Sequence, residues 1–148
     1  MSEAMKLRVE TGAVTVDVED ERGCLIGQFD FNPADSNILK RYSAVVDFFN
    51  GVTFDEAASD EEQIAQMNKL ADDIAGQFDY LLGYSVSEGI FGRCGALTVT
   101  KSGDFFFEQV LEGIGSLIES VTKKRLDKKL AKVRKAAANA PSVKNKAR

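Results

Sequence analysis

The chain has 148 residues, 44% of them hydrophobic and 28% charged, enough for one ordinary domain with its own core. It has no histidine, which removes Ser/His and Cys/His catalysis and His-ligated metals, and its two cysteines, Cys24 and Cys94, stand in no CxxC spacing. The net charge of −4 hides an asymmetry: residues 123–148 hold eleven Lys/Arg and one acid, net +10, while residues 1–122 hold eight and twenty-two, net −14. An acidic body with a basic tail suits an interaction arm, or tails that contact the bodies of neighbouring copies. No apolar run approaches the roughly 20 residues of a membrane span, and the first residues carry no apolar signal segment. The expectation is a cytoplasmic site of synthesis and no membrane partner. The two thiols are expected to be buried and reduced, with a lone disulfide as the alternative.

Leu7 and Val9 alternate with polar residues, as do Val14, Val16 and Val18. A period of two in β-branched residues predicts strands, with Thr11-Gly12 turning the chain between them. The polar stretch Glu19–Gly23 reads as a hairpin loop, and Leu25–Phe31 as a third strand with room for a bulge at Gly27. Asn32-Pro33-Ala34-Asp35 stops that strand and starts a helix capped by Asp35 or Ser36. Ile38, Leu39, Tyr42, Val45, Val46 and Phe49 mark its apolar stripe, and Asn50-Gly51 ends it. Phe54, in the connector that follows, is expected to pack back on the body. Ser59 and Glu62 have capping-box spacing. Behind them Ile64, Met67, Ala71, Ile74, Phe78 and Leu81 form a short seam, read as packing within the domain rather than a coiled-coil dimer. Gly83 closes that helix. Ser85 and Glu88 repeat the capping spacing for a short helix bearing Ile90 and Phe91 and ending at Gly92. Arg93–Gly103 reads as irregular, with Leu97–Thr100 extended.

The chain is organised around Asp104 to about Ala138. Phe105, Phe106 and Phe107 lead into Val110, Leu111, Ile114, Leu117, Ile118 and Val121 at three- and four-residue steps. Asp104 is the expected N-cap. Lys123, Lys124, Arg125, Lys128, Lys129, Lys132, Arg134 and Lys135 then crowd the chain, while Leu126, Leu130, Val133 and Ala137 keep a narrower apolar spacing. One helix is predicted, buried in front and projecting behind, bendable at Gly113 and Gly115. Ala136–Arg148 is expected to fray into disorder. The fold class is therefore α+β, mostly α: an N-terminal three-stranded antiparallel meander, then about four bundled helices with a long basic C-terminal one. Residues 1–122 form the compact domain, and 123–148 the basic helical extension.

Nothing in the sequence is arranged for catalysis, and no metal or cofactor is expected. The acidic runs Asp17–Glu21, Asp60–Glu62 and Asp72-Asp73 lack EF-hand spacing and read as solvated. Gly89-Ile-Phe-Gly92 and Gly113-Ile-Gly115 lack the setting of a phosphate loop and read as a helix end and close packing. Three consecutive phenylalanines span about 200° of a helix, so at least one lies partly outside the core. The basic tail has cations for phosphates but no aromatic residues for base stacking, so nucleic acid is the less favoured partner.

The stretch Phe78-Asp-Tyr-Leu-Leu-Gly-Tyr-Ser-Val-Ser-Glu-Gly-Ile-Phe-Gly92, then Phe105–Glu112 and a Lys-rich helical tail, resembles small tail-assembly proteins of siphophages and prophages of Gram-positive bacteria. Phe29–Pro33 followed by Arg41-Tyr42 fits the same pattern. The resemblance implies a tail assembly chaperone that binds the tape measure protein in the host cytoplasm and is absent from the mature virion. It brings no catalytic residues. On this reading, apolar faces around Phe91, Phe105 and Phe106 engage helices of the partner, and Lys124, Arg125, Lys128, Lys129 and Lys132 steer acidic patches. Homo-oligomerisation is compatible with it. The alternatives are a structural tail or connector protein retained in the virion, and a nucleic-acid-binding accessory protein.

Overall fold

The computed structural model describes residues 3–138. Within them the elements run β1 (Val14–Glu19), β2 (Leu25–Phe31), α1 (Ser36–Asn50), α2 (Asp60–Leu82), α3 (Ser87–Phe91) and α4 (Phe106–Ala138). The expected disorder beyond Ala138 lies outside the described residues, while residues 136–138, expected to fray, belong to α4.

β1 and β2 form an antiparallel hairpin in which Val14 faces Phe31 and Val18 faces Gly27. Glu19 then faces Leu25, so Ile26 is the extra residue of a bulge beside Gly27. Asp20 builds the turn: its carboxylate accepts from the N–H groups of Arg22 (2.9 Å) and Cys24 (3.0 Å). The Cys24 N–H, with smaller help from Arg22, holds the Asp20 carboxyl below its usual value. Cys24 is exposed and Cys94 half-buried, and both are free, which corrects the expectation of two buried thiols.

The meander has two strands, not three. Leu7 and Val9 are 88% and 70% exposed and pair with no strand among the described residues. The reason lies just downstream: the Thr11 carbonyl accepts from Asn32 Nδ2 and the Gly12 carbonyl from Arg125 Nη2. Gly12, at φ 86°, turns the chain towards α4 instead of back along β1.

Local signals set most helix ends. Asp35 caps α1 by accepting from the Asn37 N–H, and Ser59 Oγ accepts from Glu62 N–H at the start of α2. Gly83, at φ 81°, ends α2. Two expected caps are corrected. Ser85 does not cap α3; Asp79 Oδ1, from the last turns of α2, accepts from the N–H groups of Val86 (2.9 Å) and Ser87 (3.0 Å). Asp104 does not cap α4, which begins two residues later; Glu108 reaches back to the Phe105 N–H (3.0 Å), the reciprocal half of a capping box.

The core joins Phe29 and Phe31 of the sheet to Ile38 and Val45 of α1, Leu70, Ile74, Phe78 and Leu81 of α2, Ile90 of α3 and Phe106, Val110, Ile114 and Ile118 of α4. Each such side chain contributes about 1.5–3 kcal/mol by leaving water. α2 uses only the rear of its predicted seam, and Ile64 stays exposed. α3 meets β2 backbone to backbone: a Cβ on Gly27 would stand 2.9 Å from the Ile90 carbonyl oxygen, and one on Gly89 2.9 Å from that of Gln28. α4 runs unbroken through Gly113 and Gly115 for 33 residues, roughly 50 Å. Tyr42 of α1 donates to the Leu111 carbonyl at 3.0 Å, and a Cβ on Gly115 would collide with the Tyr42 hydroxyl.

Candidate functional site

Among the described residues, two surfaces bring the candidate site residues to the outside, and both involve α4. The first is an open groove of about 420 Å³ between α1 and the start of α4. Val46, Phe49 and Phe105 supply its apolar walls, and Phe54 reaches it from the connector, half out in solvent. Phe54 was expected to pack back on the body. Asp104, Glu108 and Glu112 give the rim a negative charge. Burial, with help from the Glu112 charge, raises the pKa of the Tyr42 phenol in this groove.

The second surface is the rear of α4. Its last hydrogen bonds to the body, among the described residues, come from Thr122 to the Pro33 carbonyl (3.1 Å) and from Arg125. Beyond them Leu126, Leu130 and Val133 are 54%, 41% and 51% exposed, and Lys128, Lys129 and Lys132 are exposed too. At about 100° per residue, Lys124, Lys128 and Lys132 continue the face that the front half buries, and the Leu126–Leu130–Val133 stripe lies roughly 120° round the helix from it. Among the described residues, none of these lysines is within ion-pair distance of a carboxylate.

The candidate residues therefore divide. Phe105 is half-buried, stacked on Phe107 at 6.0 Å, and lines the groove. Phe91 is half-buried but packs edge-on against Phe78 and Phe106, at 5.0 and 5.9 Å. Phe106, 7% exposed, is a core residue and offers almost no surface: its ring packs edge-on against Phe91 of α3. Arg125 is engaged within the chain, donating to Asn32 Oδ1 and the Gly12 carbonyl, both at 2.8 Å. Lys124, Lys128, Lys129 and Lys132 remain exposed together on the rear of α4. Phe49 and Phe54 complete the groove, although their stripe and connector positions in the sequence read as core.

Among the described residues, no three His, Cys, Asp or Glu side chains come together as a metal site, and no helix is long and apolar enough to cross a membrane. Compared with family models, with curated proteins and with solved structures, the chain matches none of them.

Proposed function

We propose that the chain is a tail assembly chaperone of the siphophage and prophage kind, which binds the tape measure protein in the bacterial cytoplasm and keeps it soluble until the tail tube forms around it. The observation that carries a binding role is the rear of α4: an apolar stripe and a row of lysines on one helix, neither covered by the described residues. An amphipathic helix left uncovered is a surface for another helix. The resemblance of Phe78–Gly92 and Phe105–Glu112 to tail-assembly proteins supplies the identity of that other helix. The groove at Phe105 gives a second foothold, and its acidic rim favours a partner segment that is apolar and basic.

The test is co-expression with the tape measure protein encoded nearest to this gene, read by partner solubility and co-elution. Replacing Lys128, Lys129 and Lys132 by Glu is expected to weaken the complex and flatten its salt dependence while leaving folding stability within about 0.5 kcal/mol, since all three are exposed. An insoluble partner, with this protein eluting alone, would sink the proposal. Recovery of this protein from purified virions by mass spectrometry would turn the reading to a structural tail protein. Co-purifying nucleic acid at low salt would turn it to the lysine row as a phosphate surface.

A further inference from the structure

The two edges of the β1–β2 hairpin are finished differently. Along β2, the Tyr84 hydroxyl accepts from the Asp30 N–H (2.8 Å) and donates to the Asp30 carbonyl (2.9 Å). Arg93 Nη1 donates to the Leu25 carbonyl (2.9 Å), and α3 closes on Gly27. Along β1, no hydrogen bond among the described residues reaches the outer backbone. In an antiparallel ladder, opposed residues point their N–H and C=O groups either both inward or both outward. Asp30 points outward to Tyr84, so its partner Thr15 points outward too, and so does Asp17 two residues on. Beside this edge, between β1 and α4, lies a groove of about 370 Å³. Val16, Val18, Ile114 and Leu117 line it, and Gly113 leaves the α4 backbone bare, with nothing within 4 Å of where its Cβ would be.

The chain carries a segment that matches this edge in length, pattern and charge. Met5, Leu7 and Val9 are exposed and alternate with Lys6 and Arg8. Glu3–Val9 would extend roughly 23 Å as a strand, against roughly 20 Å for β1. On β1, Val16 and Val18 are half-buried towards the groove, while Thr15, Asp17 and Glu19 alternate with them and are exposed, Asp17 and Glu19 also bordering the groove. Any register that points Leu7 and Val9 into the groove therefore sets Lys6 and Arg8 among Asp17 and Glu19. The arm does not reach its own β1, because Asn32 and Arg125 hold the Thr11 and Gly12 carbonyls and lead it away.

We infer that residues 5–9 form a strand donated to the open β1 edge of a second copy of this chain, with Leu7 and Val9 in the groove beside α4. Exchange of both arms gives a twofold dimer, and each two-stranded hairpin, marginal by itself, becomes a three-stranded sheet. The inference is independent of the phage partner proposed above.

The experiment is sedimentation velocity on the full chain and on two charge variants, K6E/R8E and D17K/E19K. All four positions are exposed, so both variants keep the wild-type far-UV circular dichroism. The wild type sediments as a dimer. Each variant alone opposes like charges across the new strand pair and dimerises at least about tenfold more weakly. Mixing the two restores the dimer, because each arm then meets an edge of opposite sign. A chain lacking residues 2–10, which removes only exposed side chains among the described residues, is monomeric. A monomeric wild type at high micromolar concentration overturns the inference. So does a dimer that survives loss of the arm, or a mixture that stays dissociated.

Discussion

Replacing Gly115 by Ala tests how α4 sits on α1, because two known effects oppose each other at that position. Alanine is about 1 kcal/mol better than glycine in a helix interior, so propensity alone predicts stabilisation. The added methyl, however, would occupy the space of the Tyr42 hydroxyl and lie 2.7 Å from Tyr42 Cζ. The ring must leave, which removes the hydrogen bond to the Leu111 carbonyl, worth about 1 kcal/mol, and forces a packing adjustment of about 1–3 kcal/mol. The sum is a net loss of about 1–3 kcal/mol. Gly76, inside α2, provides the matched comparison. It is exposed with nothing within 4 Å of its Cβ position, so Ala there is expected to stabilise by about 1 kcal/mol. Urea unfolding followed by far-UV circular dichroism reads both, with the shift in midpoint giving the sign. If Gly115→Ala stabilises as Gly76→Ala does, Tyr42 does not lie against α4 at this turn and the packing of α1 on α4 is wrong.

Three further outcomes follow from the same contacts. Gly27→Ala would bring a methyl within 2.9 Å of a main-chain oxygen in α3 that no rotamer change can move, so a loss of about 2–3 kcal/mol is expected in urea unfolding. Asp79→Ala leaves the Val86 and Ser87 N–H groups without their acceptor and is expected to cost about 2 kcal/mol; Asp79→Asn keeps one side-chain oxygen and costs about half of that, read by thermal melts of the pair. Tyr42 has a folded pKa raised above its unfolded value near 10.0. Its contribution to stability is therefore complete below pH 10 and is lost as pH climbs from there through the raised value. Comparing wild type with Tyr42→Phe isolates it: the alkaline loss should be shallower in the variant, and equal slopes would place the phenol in water.

Capping and periodicity made the helices legible. Asp35, Ser59 and Gly83 act where local chemistry says they should, and the Val110–Val121 stripe is buried or half-buried throughout. What the sequence could not display were partners brought in from elsewhere. Ser85 has the right spacing to cap α3, but Asp79 reaches the same amides from the preceding helix. Leu7 and Val9 have strand periodicity, yet periodicity specifies a face and not the edge that will receive it. Gly27 and Gly115 read as a bulge and a bend, and their close neighbours, Ile90 and Tyr42, are 63 and 73 positions away along the chain. Arg125 sits within a run of cations and reads as one of them, yet its guanidinium ties α4 to Asn32 and Gly12.

The same distinction explains why α4 leaves the body where it does. Apolar residues do not run out after Val121; Leu126, Leu130 and Val133 continue at helical steps. They are displaced by roughly 120° from the buried face, and Lys124, Lys128 and Lys132 take over that face. Laying those lysines against the body would take three charges out of water, a cost that falls only where each meets a well-placed carboxylate. The helix therefore projects. Its last turns hold together through strong helix formers and cations near the C-terminal end of the dipole. Opposing this, like charges four residues apart repel by a few tenths of a kcal/mol each. Tied to the body at Arg125 and exposed beyond it, the rear of α4 gains most from a surface that covers its leucines and neutralises its lysines together.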